Sequence, residues 1–169
     1  MANSFSNCLS IDLVKGPVSG IHRKIKKIPL LTPNVTKLSC GYNLEDENKN
    51  LVEFGIGGIC NLCLDKNFKQ LIYKRGGVPK VIKCLSSERE ETVLSAITTL
   101  MFLIYPESKA DITTASVIDC MLRFKESGNR RISNLASVFL QDYCTSDQIQ
   151  NAKILSSTYS SSHASVSGT

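Results

Sequence analysis

The sequence of 169 residues has no tryptophan, only 7% aromatic residues and two histidines. So few aromatics argue against a nucleic-acid surface built from stacked rings. No apolar run approaches the ~18 residues of a membrane span. The N-terminus also lacks the basic stretch and apolar run that are typical of a secretory signal. The net charge of +5 permits an acidic partner without requiring one.

Cysteine is the one uncommon residue type that is well represented, with seven copies. An odd number leaves one thiol over if all the others pair. Several of these cysteines fall on apolar helix faces, where a free cysteine behaves as a small hydrophobe. This pattern favours a reducing compartment, the cytosol or the nucleus.

A basic hexamer occupies His22–Lys27 near the start of the chain. It has two interpretations: a nuclear import or nucleic-acid-binding segment, or a solvated charged loop. Together with the cysteines it favours the nucleus as the location of the protein, with the cytoplasm as a second location.

The clearest local signal is the turn at Gly76-Gly77, which separates two helical patterns. Two glycines end a helix at little conformational cost, because glycine adopts a positive φ readily. Pro79 then suits the first turn of a new helix, where a missing N–H is tolerated. A polar break at residues 86–88 precedes a further helix that begins at Glu90. The pattern predicts helix, sharp turn, helix, short loop, helix.

The helical patterns repeat along the chain. The apolar positions of the segment that begins near Val52 recur at an offset of 41, and those of the second copy recur at an offset of 39. The matched positions are Val52, Ile56, Ile59 and Leu62, then Val93, Ile97, Leu100 and Leu103, then Ile132, Ala136 and Phe139. Periods near 40 residues are typical of stacked helical repeats. The prediction is an all-α protein, a short α-solenoid of about two repeats with an orphan leading helix.

Three regions follow from this reading. Residues 1–42 carry scattered proline and glycine and are predicted to be irregular or disordered. Residues 43–144 form the predicted repeat domain. Residues 145–169 are rich in serine and are predicted to be disordered, because such a tail buries too little apolar area to offset its ordering entropy.

No motif predicts catalysis, a metal site or a cofactor. Cys60-x-x-Cys63 has the spacing of zinc ligands, but it lies within a helical pattern and no second pair accompanies it. Gly55–Gly58 lacks the flanking strand and the Gly-Lys-Ser of a phosphate loop, and we interpret it as a packing surface. His22 and His163 lie in the two least legible segments. We therefore expect a non-enzymatic protein.

The repeat resembles the armadillo family. Gly76–Pro79 followed by apolar helical spacing, Glu90–Val93 at the start of the next helix, and Ile59–Leu62 with its asparagine carry this resemblance. It extends over residues 43–143 and implies three-helix layers, in which the segments near Val52, Val93 and Ile132 are third helices. Armadillo proteins usually have further helices upstream, and residues 1–42 do not match them.

The resemblance implies a scaffold that binds proteins. The armadillo members that this chain resembles most are components of the minor (U12-type) spliceosome and partner an RNA-binding-motif protein. A cytosolic adaptor that binds a peptide or regulatory protein is the alternative, and direct RNA binding is a third reading. Peptide-binding armadillo proteins repeat an asparagine along their third helices, whereas the matched positions here are Asn61, Phe102 and Gln141. That departure favours a globular or helical partner.

Two sets of residues are candidates for partner contact. Positions of the third helices that face away from the apolar stripe form the first set, in which Phe54 and Phe102 would be apolar anchors. For both phenylalanines, packing under a neighbouring helix is the other interpretation. This set, called here the third-helix face, comprises Phe54, Asn61, Ser95, Thr99, Phe102, Asn134, Val138 and Gln141. The second set, Arg123, Arg130 and Arg131, could meet RNA phosphate or an acidic partner, or form a solvated surface.

Overall fold

The computed structural model describes residues 44, 45 and 47–162, with side chains as far as Ser156. The predicted segment 1–42, with its basic hexamer, lies outside the described residues, as does His163. The described residues form α-helices and one 3₁₀ turn and no β-strand, which confirms the all-α prediction. The helices are α1 (Lys49–Leu62), α2 (Lys66–Lys74), α3 (Gly77–Lys83), the 3₁₀ turn (Cys84–Ser86), α4 (Glu90–Leu103), α5 (Lys109–Ile112), α6 (Ala115–Lys125), α7 (Arg130–Tyr143) and α8 (Ser146–Ser162).

The helices are arranged in successive layers. The three helices α2, α3 and α4 form one layer. Helices α6 and α7 pack together as the next, and the one-turn helix α5 precedes them along the chain. Helix α1 packs on α4, and α4 packs on α7, so the three segments related by the repeat offsets are spatial neighbours. This arrangement confirms the prediction of a helical solenoid in which α1, α4 and α7 are equivalent helices.

The turn between α2 and α3 has the backbone geometry that the sequence predicts. Gly76 has φ +70° and is the only residue of the described part with a positive φ. Gly77 is required for a different reason, because a Cβ there would lie 2.6 Å from Cγ2 and 2.8 Å from the carbonyl oxygen of Ile72. One glycine therefore reverses the chain and the other lets α3 approach the end of α2.

Helix α4 is the centre of the core. Every residue from Thr92 to Leu100 is buried, since α1, α7 and the other helices of its own layer surround it. A helix enclosed on all sides is expected to be apolar or to satisfy its polar groups internally. The hydroxyls of Thr98 and Thr99 donate to the carbonyl oxygens of Leu94 and Ser95, at 2.8 and 2.6 Å.

The starts of the equivalent helices are linked by polar contacts. Glu53 of α1 accepts from Arg89 at the start of α4 (2.8 Å), and Glu91 of α4 accepts from Arg131 of α7 (2.7 Å). Lys49 also pairs with Glu88. We call this series of contacts, which crosses from layer to layer, the helix-start ladder.

The prediction of a disordered tail from residue 145 is wrong for Ser146–Ser162, which forms α8 and packs on α6. A reciprocal pair begins the helix: Gln148 Oε1 accepts from the N–H of Thr145 (3.0 Å), and Thr145 Oγ1 accepts from the N–H of Gln148 (3.3 Å). Ala152 is 1% exposed. The repeat domain thus extends beyond its predicted end at residue 144.

Candidate protein-interaction surface

The third-helix face is partly exposed. Phe54, on α1, is the most exposed large apolar side chain of the described residues, with 54% of its surface accessible. Asn134 and Gln141, on α7, are also exposed. These three predicted contact residues lie on the first and last of the three equivalent helices and are accessible to a partner.

The central helix contributes less than the sequence predicts. Ser95 is 8% exposed and Thr99 is 0% exposed, so neither is a surface residue in this structure. Their prediction as contact residues is wrong here, because α4 is enclosed by helices on both sides. The hydroxyl of Thr99 is already used within the helix.

The remaining members of the face are intermediate. Asn61, on α1, and Val138, on α7, are half-buried. Phe102 is also half-buried and packs against the core. Phe102 therefore agrees with the interpretation that it packs under a neighbouring helix, although part of the residue remains accessible.

Sequence reasoning missed two further exposed apolar residues, one on α1 and one just beyond its end. Leu51, on the preceding turn of α1, is 41% exposed, and Leu64, just beyond the end of the helix, is 37% exposed. The i, i+3 spacing of Leu51 and Phe54 puts them on one side of the helix and could have revealed the pair. Helix α1 accordingly carries most of the exposed apolar surface at this end of the described fold.

The three predicted arginines differ in their surroundings. Arg131 donates to Glu91, and Arg123 pairs with Asp119 one turn earlier on α6 at 3.3 Å. Arg130 is exposed and forms no ion pair with the described residues. Internal carboxylates thus engage two of the three cations that we expected to meet phosphate or an acidic partner.

The cysteines of the described residues are buried or half-buried. Cys63 is 4% exposed and belongs to the core, and Cys60 is half-buried on α1. Burial raises the pKa of Cys84 to about 11, and burial also raises the pKa of Cys120 and of Cys144. A raised pKa keeps a thiol protonated at neutral pH and so makes it a poor nucleophile.

Two further features of the sequence can be compared with the structure: the possible metal ligands and the glycines of α1. Within the described ranges, no group of three or more histidine, cysteine, aspartate or glutamate side chains could hold a metal ion. A Cβ added to Gly57 or Gly58 would meet no atom within 4 Å. The close packing that we expected at these two glycines is therefore not present.

One cluster of ionisable groups fastens α2 to the segment after α4. The Tyr73 hydroxyl donates to Asp111 Oδ2 (2.7 Å), which raises the pKa of Tyr73, and its ring meets that of Tyr105 edge to face at 5.4 Å. Lys69 Nζ donates to the carbonyl oxygen of Ile104 (3.3 Å), and burial lowers the pKa of this lysine. Each polar group of the cluster has a partner in the fold, so the cluster serves packing between layers.

No helix in the described part of the chain has the length and apolar character needed to cross a membrane.

Stacked three-helix layers with exposed third-helix residues define the class of this protein, an α-solenoid with the features of an interaction module. Over 112 residues the chain is 49% identical to Armadillo repeat-containing protein 7 of Mus musculus. The match covers 65% of this chain and 57% of the mouse protein, so the chain spans little more than half the length of that relative. No protein-family model matches the chain. This match confirms the resemblance to armadillo proteins that the sequence predicts.

Proposed function

We propose that this chain is a non-enzymatic scaffold that binds another protein through the exposed part of its third helices. The observation that carries the proposal is the 49% identity to an armadillo-repeat protein over 112 residues. An α-solenoid presents extended surfaces and has no need of a catalytic centre. The raised pKa values of Cys84, Cys120 and Cys144 fit this role, because a protonated thiol is a poor nucleophile.

The finer proposal concerns the assembly in which this scaffold acts. We infer that it is a nuclear component of the minor (U12-type) spliceosome and contributes to pre-mRNA splicing by binding an RNA-binding-motif protein. The armadillo resemblance supports this inference. The described surface agrees with a protein partner better than with RNA, since ion pairs already engage Arg123 and Arg131.

Phe54 is the anchor that we assign to this contact. Aromatic side chains supply much of the binding energy at protein interfaces, and more than half of this one is accessible. Asn134 and Gln141 supply amide groups on the third of the equivalent helices. These groups suit the polar margin of an interface.

Affinity purification from nuclear and cytosolic extracts tests the proposal. The tagged full chain should enrich the small nuclear RNAs of the minor spliceosome over those of the major spliceosome, together with one RNA-binding-motif protein. A high-salt wash after RNase treatment should leave the protein partner bound, because a protein contact does not depend on phosphate charge. Recovery of only cytosolic partners would instead support the adaptor alternative.

A matched pair of variants connects the result to the surface. Phe54→Glu should lower recovery of the partner about tenfold or more, as expected for loss of an interface anchor. Ile154→Glu makes the same change at a side chain of α8 that is 51% exposed and should leave recovery unchanged. Equal recovery with both variants would contradict the assignment of Phe54.

A further inference from the structure

A second surface lies at the other end of the solenoid. Helices α6, α7 and α8 border an open groove of about 290 Å³. Its apolar lining comes from Leu122, Leu140 and Ile149, one residue from each helix. Gln141 is the one member of the third-helix face that lines the groove, whereas Phe54 and the rest of α1 take no part in it.

The groove carries positive charge. Lys125, at the end of α6, and Lys153, on α8, are among its lining residues, and both are exposed. Neither forms an ion pair with any described residue. Among the described side chains, no aspartate or glutamate lines the groove; Asp142 and Asp147 are close in sequence but are not among its lining residues.

Elsewhere in the fold, lysine side chains form ion pairs with a nearby carboxylate. Lys80 and Lys83 of α3 both pair with Glu45, and these contacts lower the pKa of Glu45. The lysines of the groove have no such internal partner among the described residues. Their charge is available to a ligand that supplies the carboxylates.

We propose that this groove binds an acidic segment of a partner protein. One aliphatic side chain of that segment packs against Leu122, Leu140 and Ile149, and flanking carboxylates pair with Lys125 and Lys153. The volume lies at the lower end of the range of about 300–1,000 Å³ for small-ligand pockets, which suits a single anchoring side chain rather than a cofactor. Electrostatic complementarity of this kind specifies a partner even where it adds modest affinity.

The lining favours protein over nucleic acid. Of the described side chains in the lining, none is an aromatic ring on which a base could stack. An apolar floor between two cations matches alternating aliphatic and acidic side chains better than a continuous phosphate backbone. The groove shares Gln141 with the third-helix face. Its test is nevertheless separate from that of the splicing assignment, because it changes Lys125 and Lys153, which the splicing proposal does not use, and it uses purified protein.

The test uses a short fluorescein-labelled peptide of glutamates around a single leucine, titrated with the purified full chain and followed by fluorescence anisotropy. The double variant Lys125→Glu/Lys153→Glu should bind about tenfold or more weakly, since two attractions become repulsions. The control Lys66→Glu/Lys74→Glu changes two exposed lysines of α2 by the same charge and should bind as the unchanged chain does.

Two further measurements separate the apolar contact from charge alone. Replacing the leucine of the peptide by serine should weaken binding about tenfold, as expected for loss of a buried aliphatic group. Ser137→Trp places a ring in the groove without a change of charge and should also abolish binding. The circular-dichroism spectrum checks that each variant is folded; if Ser137→Trp unfolds, the lysine variants and the altered peptide decide the result.

Several outcomes would overturn the proposal. One is undetectable binding of the peptide to the unchanged chain. Another is an equal loss of affinity in the Lys125→Glu/Lys153→Glu variant and in the control Lys66→Glu/Lys74→Glu. Equal binding of the leucine and serine peptides would show that the apolar lining of the groove does not hold an aliphatic side chain. A short RNA of the same charge is the last comparison. If it binds more tightly than the peptide, and if the Lys125→Glu/Lys153→Glu variant no longer binds it, RNA is the occupant instead.

Discussion

The guanidinium Nη1 of Arg131, at the start of α7, lies 2.7 Å from Glu91 Oε1 at the start of α4. The pair joins equivalent places in successive layers and is the last ion pair of the helix-start ladder. Both side chains are about half exposed, so the expected coupling free energy is about 0.2–1 kcal/mol. A double-mutant cycle of Arg131→Ala and Glu91→Ala, measured by urea unfolding at low and high salt, should give a coupling that shrinks as salt rises.

Arg130 provides the control for that cycle, because it is the adjacent arginine and has no ion pair with the described residues. Arg130→Ala paired with Glu91→Ala should be additive within about 0.5 kcal/mol. A coupling between Arg131 and Glu91 that is zero at low salt would show that the layers are held without this contact.

The two kinds of glycine should respond in opposite ways to alanine. Gly77→Ala puts a methyl group 2.6 Å from Ile72 Cγ2 and should lower the free energy of unfolding by about 1–3 kcal/mol through overpacking. Gly58→Ala, inside α1 with no atom within 4 Å of the new Cβ, should raise it by about 0.5–1 kcal/mol. Thermal or urea unfolding measures both, and a stabilising Gly77→Ala would refute the close approach of α3 to α2.

Cys84 should make stability depend on pH in the alkaline range. Its thiol is 3% exposed, and burial raises its pKa from an ordinary value of 9.0 to about 11. Below pH 9 the thiol is protonated in both the folded and the unfolded chain, so it contributes no dependence. Between pH 9 and 11 the unfolded chain loses this proton and the folded chain retains it, so the free energy of unfolding falls as pH rises.

The difference between the unchanged chain and Cys84→Ala isolates that effect from other groups that titrate in the same range. The variant should show a shallower loss of stability above pH 9, measured by urea unfolding at a series of pH values. In the unchanged chain, Cys84 should react with Ellman's reagent only after unfolding. Rapid reaction of native Cys84 at neutral pH would contradict its burial.

The repeat architecture could be predicted from the sequence because periodicity reports directly on packing. Offsets of 41 and 39 between apolar stripes correctly predicted that α1, α4 and α7 are equivalent neighbours. The turn at Gly76 was equally legible, since a positive φ favours glycine. The glycine turn is a local signal and the apolar stripes are a repeated one. Neither signal depends on how the helices pack against one another in the folded chain.

Burial on α4 could not be predicted in the same way. A threonine within a helix can satisfy its hydroxyl with the carbonyl oxygen of the preceding turn, so its polarity does not require solvent. Thr99 does this through Ser95 and is fully buried, although we predicted it to be a contact residue. The deciding factor is that α1 and α7 both pack on this helix, which depends on the whole stack.

The missed helix had a different cause, because the sequence contains its signal. Serine content dominated our reading of residues 145–169, yet Thr145-x-x-Gln148 is the spacing of a capping box. Ile149 and Ala152, at i and i+3, then provide the apolar contacts on one face. The prediction of disorder relied on the serine content of residues 145–169 and overlooked the helical spacing in the same segment.

Docking of α8 on the solenoid yields a last prediction. Ala152 is 1% exposed in the packed helix, so Ala152→Glu would bury an unpaired carboxylate, which proteins avoid by moving the group into water. We expect α8 to leave α6, with loss of amide-exchange protection in α8 while α4 keeps its own. Asn151→Glu introduces the same charge at the adjacent exposed position and should change stability by no more than about 0.5 kcal/mol. Full protection of α8 in the Ala152→Glu variant, measured by hydrogen exchange with mass spectrometry, would mean that this helix is held by contacts other than Ala152.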